Sequence, residues 1–238
     1  MKRSKGHFFS YILNRLRWHI YPRVHHVSNF PDHIDIEISS TCNLSCPMCY
    51  TITDEFKEKV NVGLMDINLF KNKLVTFEGE LGDPMVHPHI KSFINFSTGV
   101  FKKLKIVTNG GIRNAKFFND LGNTYNNLEI MFSIDGLEDD LNGLYRVKVN
   151  TKKAIGNMVA FAKSKYGKSW GVSWQYLIFE HNWFEIPEVL DFAKLYNIPI
   201  VLKINTRPKF RIEDRLIPSV VKQYEKNKFK LSNLVLAN

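Results

Sequence analysis

Hydrophobic and polar positions alternate along this chain in two periods. His33-Ile34-Asp35-Ile36-Glu37-Ile38 alternates with period two, the mark of a half-buried strand. Apolar strand-like runs recur at 74–78, 104–108, 128–134, 172–179 and 199–204. Between and after them, 3.6-residue patterns predict helices at about 66–73, 88–98, 112–121, 151–165, 184–196 and 214–228. Six strands, each followed by a helix, imply parallel βα units. The expected fold is therefore α/β, a partial (β/α)6 TIM-like barrel with parallel strands, whose functional groups gather at the carboxyl ends of the strands. Residues 8–20 read as a short amphipathic helix limited by Pro22. The chain divides into a basic N-terminal helical extension (1–30), a core domain (31–205) and a basic C-terminal helical extension (206–238). Residues 52–62 read as a polar loop able to cover a site.

Composition adds a core and a charge asymmetry. Hydrophobic residues make up 44% of 238, enough for a sizeable interior. The formal charge of +10 sits at the ends. Residues 1–30 hold six basic and no acidic residues, and 203–238 hold nine basic and three acidic. The stretch between them holds 18 basic and 20 acidic residues, nearly neutral. Basic ends attract nucleic acid or anionic lipid, but more often they are solvated faces that aid solubility. The apolar run Phe8–Leu13 is short and ends at Arg15, so no secretory signal is read. No apolar stretch approaches the roughly 18 residues of a membrane span. A cytoplasmic, reducing location is expected, with no transmembrane segment.

Three cysteines carry the candidate chemistry: Cys42, Cys46 and Cys49, in Thr41-Cys42-Asn43-Leu44-Ser45-Cys46-Pro47-Met48-Cys49-Tyr50, and the chain has no others. With no thiol left for a disulfide framework, the cluster reads as metal-binding. Structural zinc sites usually pair cysteines in separated knuckles, and a ferredoxin needs a fourth cysteine nearby. A cubane iron–sulfur cluster held by three thiolates keeps one iron open. This C-x3-C-x2-C run resembles that of the radical S-adenosylmethionine (SAM) superfamily, in which the open iron chelates SAM.

Further motifs fall at successive strand ends. Gly79-Glu80-Leu81-Gly82-Asp83-Pro84 resembles the superfamily's Gly-Gly-Glu-Pro element, which implies that Gly82 and Asp83 meet the methionine ammonium, with Asp83 one carbon shorter than the usual Glu. Thr108-Asn109-Gly110 resembles a Thr-Asn-Gly element whose hydroxyl and amide meet SAM or substrate. In Ser133-Ile134-Asp135, period two aims Ser133 and Asp135 at one face, and a hydroxyl beside a carboxylate suits the two hydroxyls of a ribose. Arg146 matches an arginine that pairs with the methionine carboxylate in related sequences, as a guanidinium fork does well. Tyr50 lies one step beyond the last cysteine, whereas the superfamily's adenine contact comes from the backbone of the residue before it, here Met48. These groups are expected to furnish an otherwise apolar barrel mouth. His87 and His89 read as loop residues, and no glycine-rich element is visible on the fifth strand.

The resemblance spans about residues 33–205 and is greatest to the peptide- and small-molecule-modifying branch, here without a cysteine-bearing C-terminal auxiliary-cluster domain. It implies an enzyme with a [4Fe–4S] cluster on Cys42, Cys46 and Cys49. SAM would be cleaved reductively to a 5′-deoxyadenosyl radical that takes hydrogen from a peptide or small molecule. A reductant such as flavodoxin or ferredoxin would supply the electron. Two alternatives stay open: an RNA-modifying radical enzyme, suggested by the basic ends and by Trp18, Trp170, Trp174 and Trp183, and a non-catalytic iron–sulfur or zinc-binding protein.

Overall fold

The computed structural model describes residues 31–49, 67–205, 213–219, 222 and 234–236. The amphipathic segment 8–20, Tyr50, the polar loop 52–62 and most of 206–238 lie outside the described residues. The described residues from His33 onwards belong to one compact unit.

Among the described residues seven strands form one sheet whose spatial order is the order of the chain. They are β1 (His33–Ile36), β2 (Leu74–Phe77), β3 (Lys103–Thr108), β4 (Leu128–Ser133), β5 (Val172–Ile178), β6 (Ile200–Ile204) and β7 (Leu234–Leu236). Every neighbouring pair is parallel. The connections include α1 (Ile90–Val100), α2 (Ala115–Thr124), α3 (Asp139–Tyr145), α4 (Thr151–Ala162) and α5 (Ile186–Leu195). The result is the expected α/β partial barrel, with differences that include the short helix α3, for which no helical pattern was read. A seventh strand, β7, falls within the stretch read as a basic helical extension. The helix expected over 66–73 is only a 3-10 turn, Ile67–Phe70, because Asn72 adopts a left-handed backbone at φ 61° that stops it.

Period two divides each strand between two environments. On β3, Leu104, Ile106 and Thr108 are buried, while Lys103, Lys105 and Val107 face the other way and are half-buried. Leu104, Ile106, Ile130, Phe132, Trp174, Tyr176, Leu202 and Ile204 pack in one core with the apolar faces of the helices. α1 contributes Ile90, Phe93, Ile94 and Ser97, a 3.6-residue stripe. α4 contributes Ala154, Met158, Phe161 and Ala162. Asparagines cap the helices α2 and α4: the Asn114 carboxamide accepts from Phe117 N at 2.9 Å, and Asn150 accepts from Lys153 N at 2.8 Å. Gly122 lets α2 approach α4, since a Cβ there would meet Ser164 Oγ at 1.9 Å.

The opposite side of the sheet is the lumen, and it is polar. Lys103 pairs with Glu129 at 2.6 Å, and Lys105 reaches the same carboxylate at 3.8 Å. Thr76, Ser173, Gln175 and Lys203 share this inward parity. The expectation of an apolar mouth is thus modified: Lys105, Gln175 and Lys203 share the cavity wall with the apolar Val107, Met131 and Leu177.

Candidate active site at the barrel mouth

The cysteine loop leaves the end of β1 and is tied down by main-chain bonds. Asp83 N donates to Thr41 O at 2.8 Å, Ser45 N to Val147 O at 3.0 Å, and Cys49 N to Cys46 O at 3.0 Å. Gly82 sits directly beneath it. A Cβ at that position would stand 2.3 Å from Ser39 O and 2.7 Å from both Thr41 N and Thr41 O, so only glycine fits.

Asp83 is the hub of the next layer. Fully enclosed, its carboxylate accepts from Met85 N at 2.9 Å, from Asn109 N at 2.8 Å and from Thr108 Oγ1 at 2.9 Å. It therefore caps the 3-10 turn Pro84–Val86 and clamps the end of β2 to the end of β3. Asn109 extends the clamp upwards: its Nδ2 donates to Asn43 Oδ1 at 2.8 Å and lies 3.7 Å from Cys42 Sγ. Leu44 N also points at that sulfur, at 3.4 Å. Gly82, Asp83, Thr108 and Asn109 thus form a plinth under the cysteine loop.

A cavity of about 450 Å³ opens in front of that loop. Its walls are Cys46 and Cys49, then Glu78, Gly79 and Glu80 after β2, Lys105 and Val107 on β3, and Met131 and Ser133 on β4. Tyr145 and Arg146 at the end of α3, Gln175 and Leu177 on β5, and Lys203 on β6 complete it. Around the thiols the surface is apolar: Leu44, Tyr145 and Phe179 pack with Cys46, and Met48, Val149 and Leu177 lie against them.

Among the predicted SAM residues, Ser133 and Arg146 line this cavity; Gly82, Asp83, Thr108, Asn109 and Asp135 stand behind its wall. Asp135 is a correction to the reading that paired it with Ser133 at a ribose. Its Oδ2 accepts from Arg146 Nε at 2.7 Å, and its Oδ1 from Leu177 N at 2.8 Å. Both oxygens are committed, and the residue is 0% exposed. Strand β4 ends at Ser133, so the alternation that aimed the two together stops before Asp135. Gln175, whose Nε2 lies 3.3 Å from Ser133 Oγ, takes the neighbouring place in the cavity. Lys105, Gln175 and Lys203 were not predicted as site residues. The signal was present in polar residues recurring at period two in apolar strands.

Electrostatics set the thiols apart. Burial, and after it the Asp83 carboxylate, pushes the Cys42 thiol up to about 12. Burial also pushes Cys46 up to about 11, with Arg146 pulling the other way. Such thiols ionise only against a bound cation. Burial acts to lower the Arg146 value, but the Asp135 carboxylate beside it holds the guanidinium above its usual range, so it stays charged. Among the described residues, no three His, Cys, Asp or Glu side chains close around a single ion. Three neighbouring thiols are the number a cubane cluster with one open iron would take, each sulfur on a different iron. The N–H donors at Cys42 and the apolar collar suit that group as well.

No protein-family model matches the chain. A sequence relative is the "Antilisterial bacteriocin subtilosin biosynthesis protein AlbA" of Bacillus subtilis (strain 168), 25% identical over 126 residues, 49% of this chain and 27% of that protein. Similar solved structures include Streptococcus suis SuiB bound to its precursor peptide SuiA, with TM-score 0.66 and 16% identity over 88% of this chain and 49% of that one. SuiB bound to S-adenosylmethionine superposes with TM-score 0.64 at 16% identity, over 88% of this chain and 48% of that one. Native anSMEcpe with bound AdoMet and the Cp18Cys peptide gives 0.57 at 14% identity, over 82% and 57%. The chain spans about a quarter of the curated relative and about half of SuiB. It has the fold of SuiB and anSMEcpe, the partial parallel barrel, with the three-cysteine loop at the mouth. Its neighbours are proteins whose structures hold SAM and peptides. No helix among the described residues is long and apolar enough to cross a membrane.

Proposed function

We propose that this chain is the catalytic barrel of an enzyme that cleaves SAM reductively and uses the product to abstract hydrogen from a peptide or small molecule. One observation supports this most: Cys46 and Cys49 open onto the same cavity as Ser133, Gln175 and Arg146. Cys42, Cys46 and Cys49 would hold the [4Fe–4S] cluster. The cluster and SAM, when bound, supply one-electron cleavage of a sulfur–carbon bond. The protein's own groups do the positioning. Arg146, fixed through Nε by Asp135, keeps its remaining guanidinium nitrogens for the methionine carboxylate near the cysteines. The Gly79–Glu80 turn offers acceptors for the ammonium, and Ser133 with Gln175 offers hydroxyl and amide to the ribose. The apolar collar of Leu44, Tyr145 and Phe179 excludes water. A peptide substrate is favoured because the relative AlbA is named for bacteriocin biosynthesis and the neighbour SuiB is seen bound to a precursor peptide.

Anaerobic reconstitution with iron and sulfide tests the reading. With dithionite and SAM, the protein is expected to release 5′-deoxyadenosine slowly without its substrate. Cluster-loaded protein that neither binds nor cleaves SAM would exclude it.

A further inference from the structure

Lys203 occupies an unusual place. It sits on β6 with Leu177 of β5 as its register partner on one side and Val235 of β7 on the other. Its side chain lines the cavity, and among the described residues its ammonium makes no ion pair. The ammonium of Lys105, from the opposite part of the sheet, lines the same space. The charges that act on Lys203 are those of Lys105 and Glu78, whereas Arg146 is the cation that acts on Cys46. The cavity therefore has two cationic regions, Arg146 close to the cysteines and the lysines away from them. Glu129 is taken up chiefly by Lys103 at 2.6 Å, and Asp135 by Arg146. Glu80, the other carboxylate on the cavity wall, stands at the cysteine end, its carbonyl 3.8 Å from Cys49 Sγ, so what acts on the lumen around Lys203 is two ammonium groups and Glu78, a net charge of about +1. That surplus suits a monoanion. A phosphate dianion would leave excess negative charge beside Glu78.

We propose that Lys203, assisted by Lys105, binds a carboxylate of the substrate in the barrel lumen, so that an acidic side chain or chain terminus of a peptide anchors there below the cofactor. The site lies on rigid strands rather than on loops, which holds the anchored group at a fixed depth. The inference rests on the cofactor reading above only for what occupies the upper part of the cavity.

The test uses cluster-loaded protein saturated with SAM, titrated with N-acetyl-glutamate α-amide and with its neutral isostere N-acetyl-glutamine α-amide, binding being read by saturation-transfer NMR. The glutamate probe should bind at least about tenfold more tightly than the glutamine probe. Lys203→Met should abolish that difference, and Lys203→Arg should keep it, which separates lost charge from lost folding. Equal binding of the two probes by the wild type, or an unchanged preference in Lys203→Met, overturns the proposal. So does a tenfold loss of SAM affinity in Lys203→Met, because the lysine would then serve the cofactor's own carboxylate. Wild type that binds no SAM defeats the cofactor reading instead, and the same titration without SAM still decides the lumen site.

Discussion

Arg146 Nε donates to Asp135 Oδ2 at 2.7 Å, and neither residue is more than 9% exposed. This pair joins the end of α3 to the segment after β4. A buried pair is costly to break from one side, because the surviving charge loses its partner. Asp135→Ala is expected to destabilise the protein by about 3–5 kcal/mol. It should also weaken SAM binding, through the loss of Arg146 orientation rather than of a ribose contact. Urea denaturation followed by SAM titration checks both, and an unchanged midpoint would show that the pair contributes nothing to folding.

Gly82→Ala should dislodge the cysteine loop. The added methyl would collide with the backbone of Ser39 and Thr41, atoms that cannot rotate away. A cost of about 1–3 kcal/mol is expected, together with reduced iron content after reconstitution. Gly99 supplies the control. It lies in α1, and a methyl added there would have nothing within 4 Å, so Gly99→Ala should gain up to about 1 kcal/mol and keep full iron.

Glu37 makes stability depend on pH. Burial pushes its carboxyl up to about 7, against the backbone donors of Glu80 and Leu81. The folded state therefore holds a proton that the unfolded chain, near 4.5, has already released. Stability from this residue is full below about 4.5 and falls as pH rises towards 7. Glu37→Gln should flatten that part of the curve, measured as denaturation midpoint against pH; an identical slope in the variant would refute the assignment.

Cys46→Ala should abolish the cluster, because two thiolates hold a cubane poorly. Wild type is expected to carry roughly four irons with equivalent sulfide, and the variant little of either. One zinc per chain with no sulfide would replace the cluster with a structural zinc site.

Much of this fold was readable because its strands are apolar on one side and each long helix carries a 3.6-residue stripe. The cysteine loop was singled out by the spacing of Cys42, Cys46 and Cys49 and the resemblance that spacing carries, and Cys46 and Cys49 line the cavity. The short helix α3 was not readable, since seven residues interrupted by Gly143 are too few to establish a period, yet it delivers Tyr145 and Arg146 to the mouth. Asp83 and Asp135 were legible as polar residues at strand ends, but not as internal partners. Which hydrogen bonds a carboxylate spends inward depends on Thr108, Asn109 and Leu177, residues distant in sequence. Trp174 proves to be a core residue at 0% exposure, Trp183 packs against the core, and Trp170 stands exposed. No shared aromatic platform for single-stranded RNA follows from these three.

Because spatial order repeats chain order, each strand emerging from the ribosome finds its neighbour already made. The sheet can grow by accretion, without waiting for a distant partner. The cysteine loop is the exception. Ser45 is anchored to Val147, which is synthesised only after β4 and α3. The loop thus emerges early and is locked late, by a main-chain bond to a residue made only after four strands of the sheet.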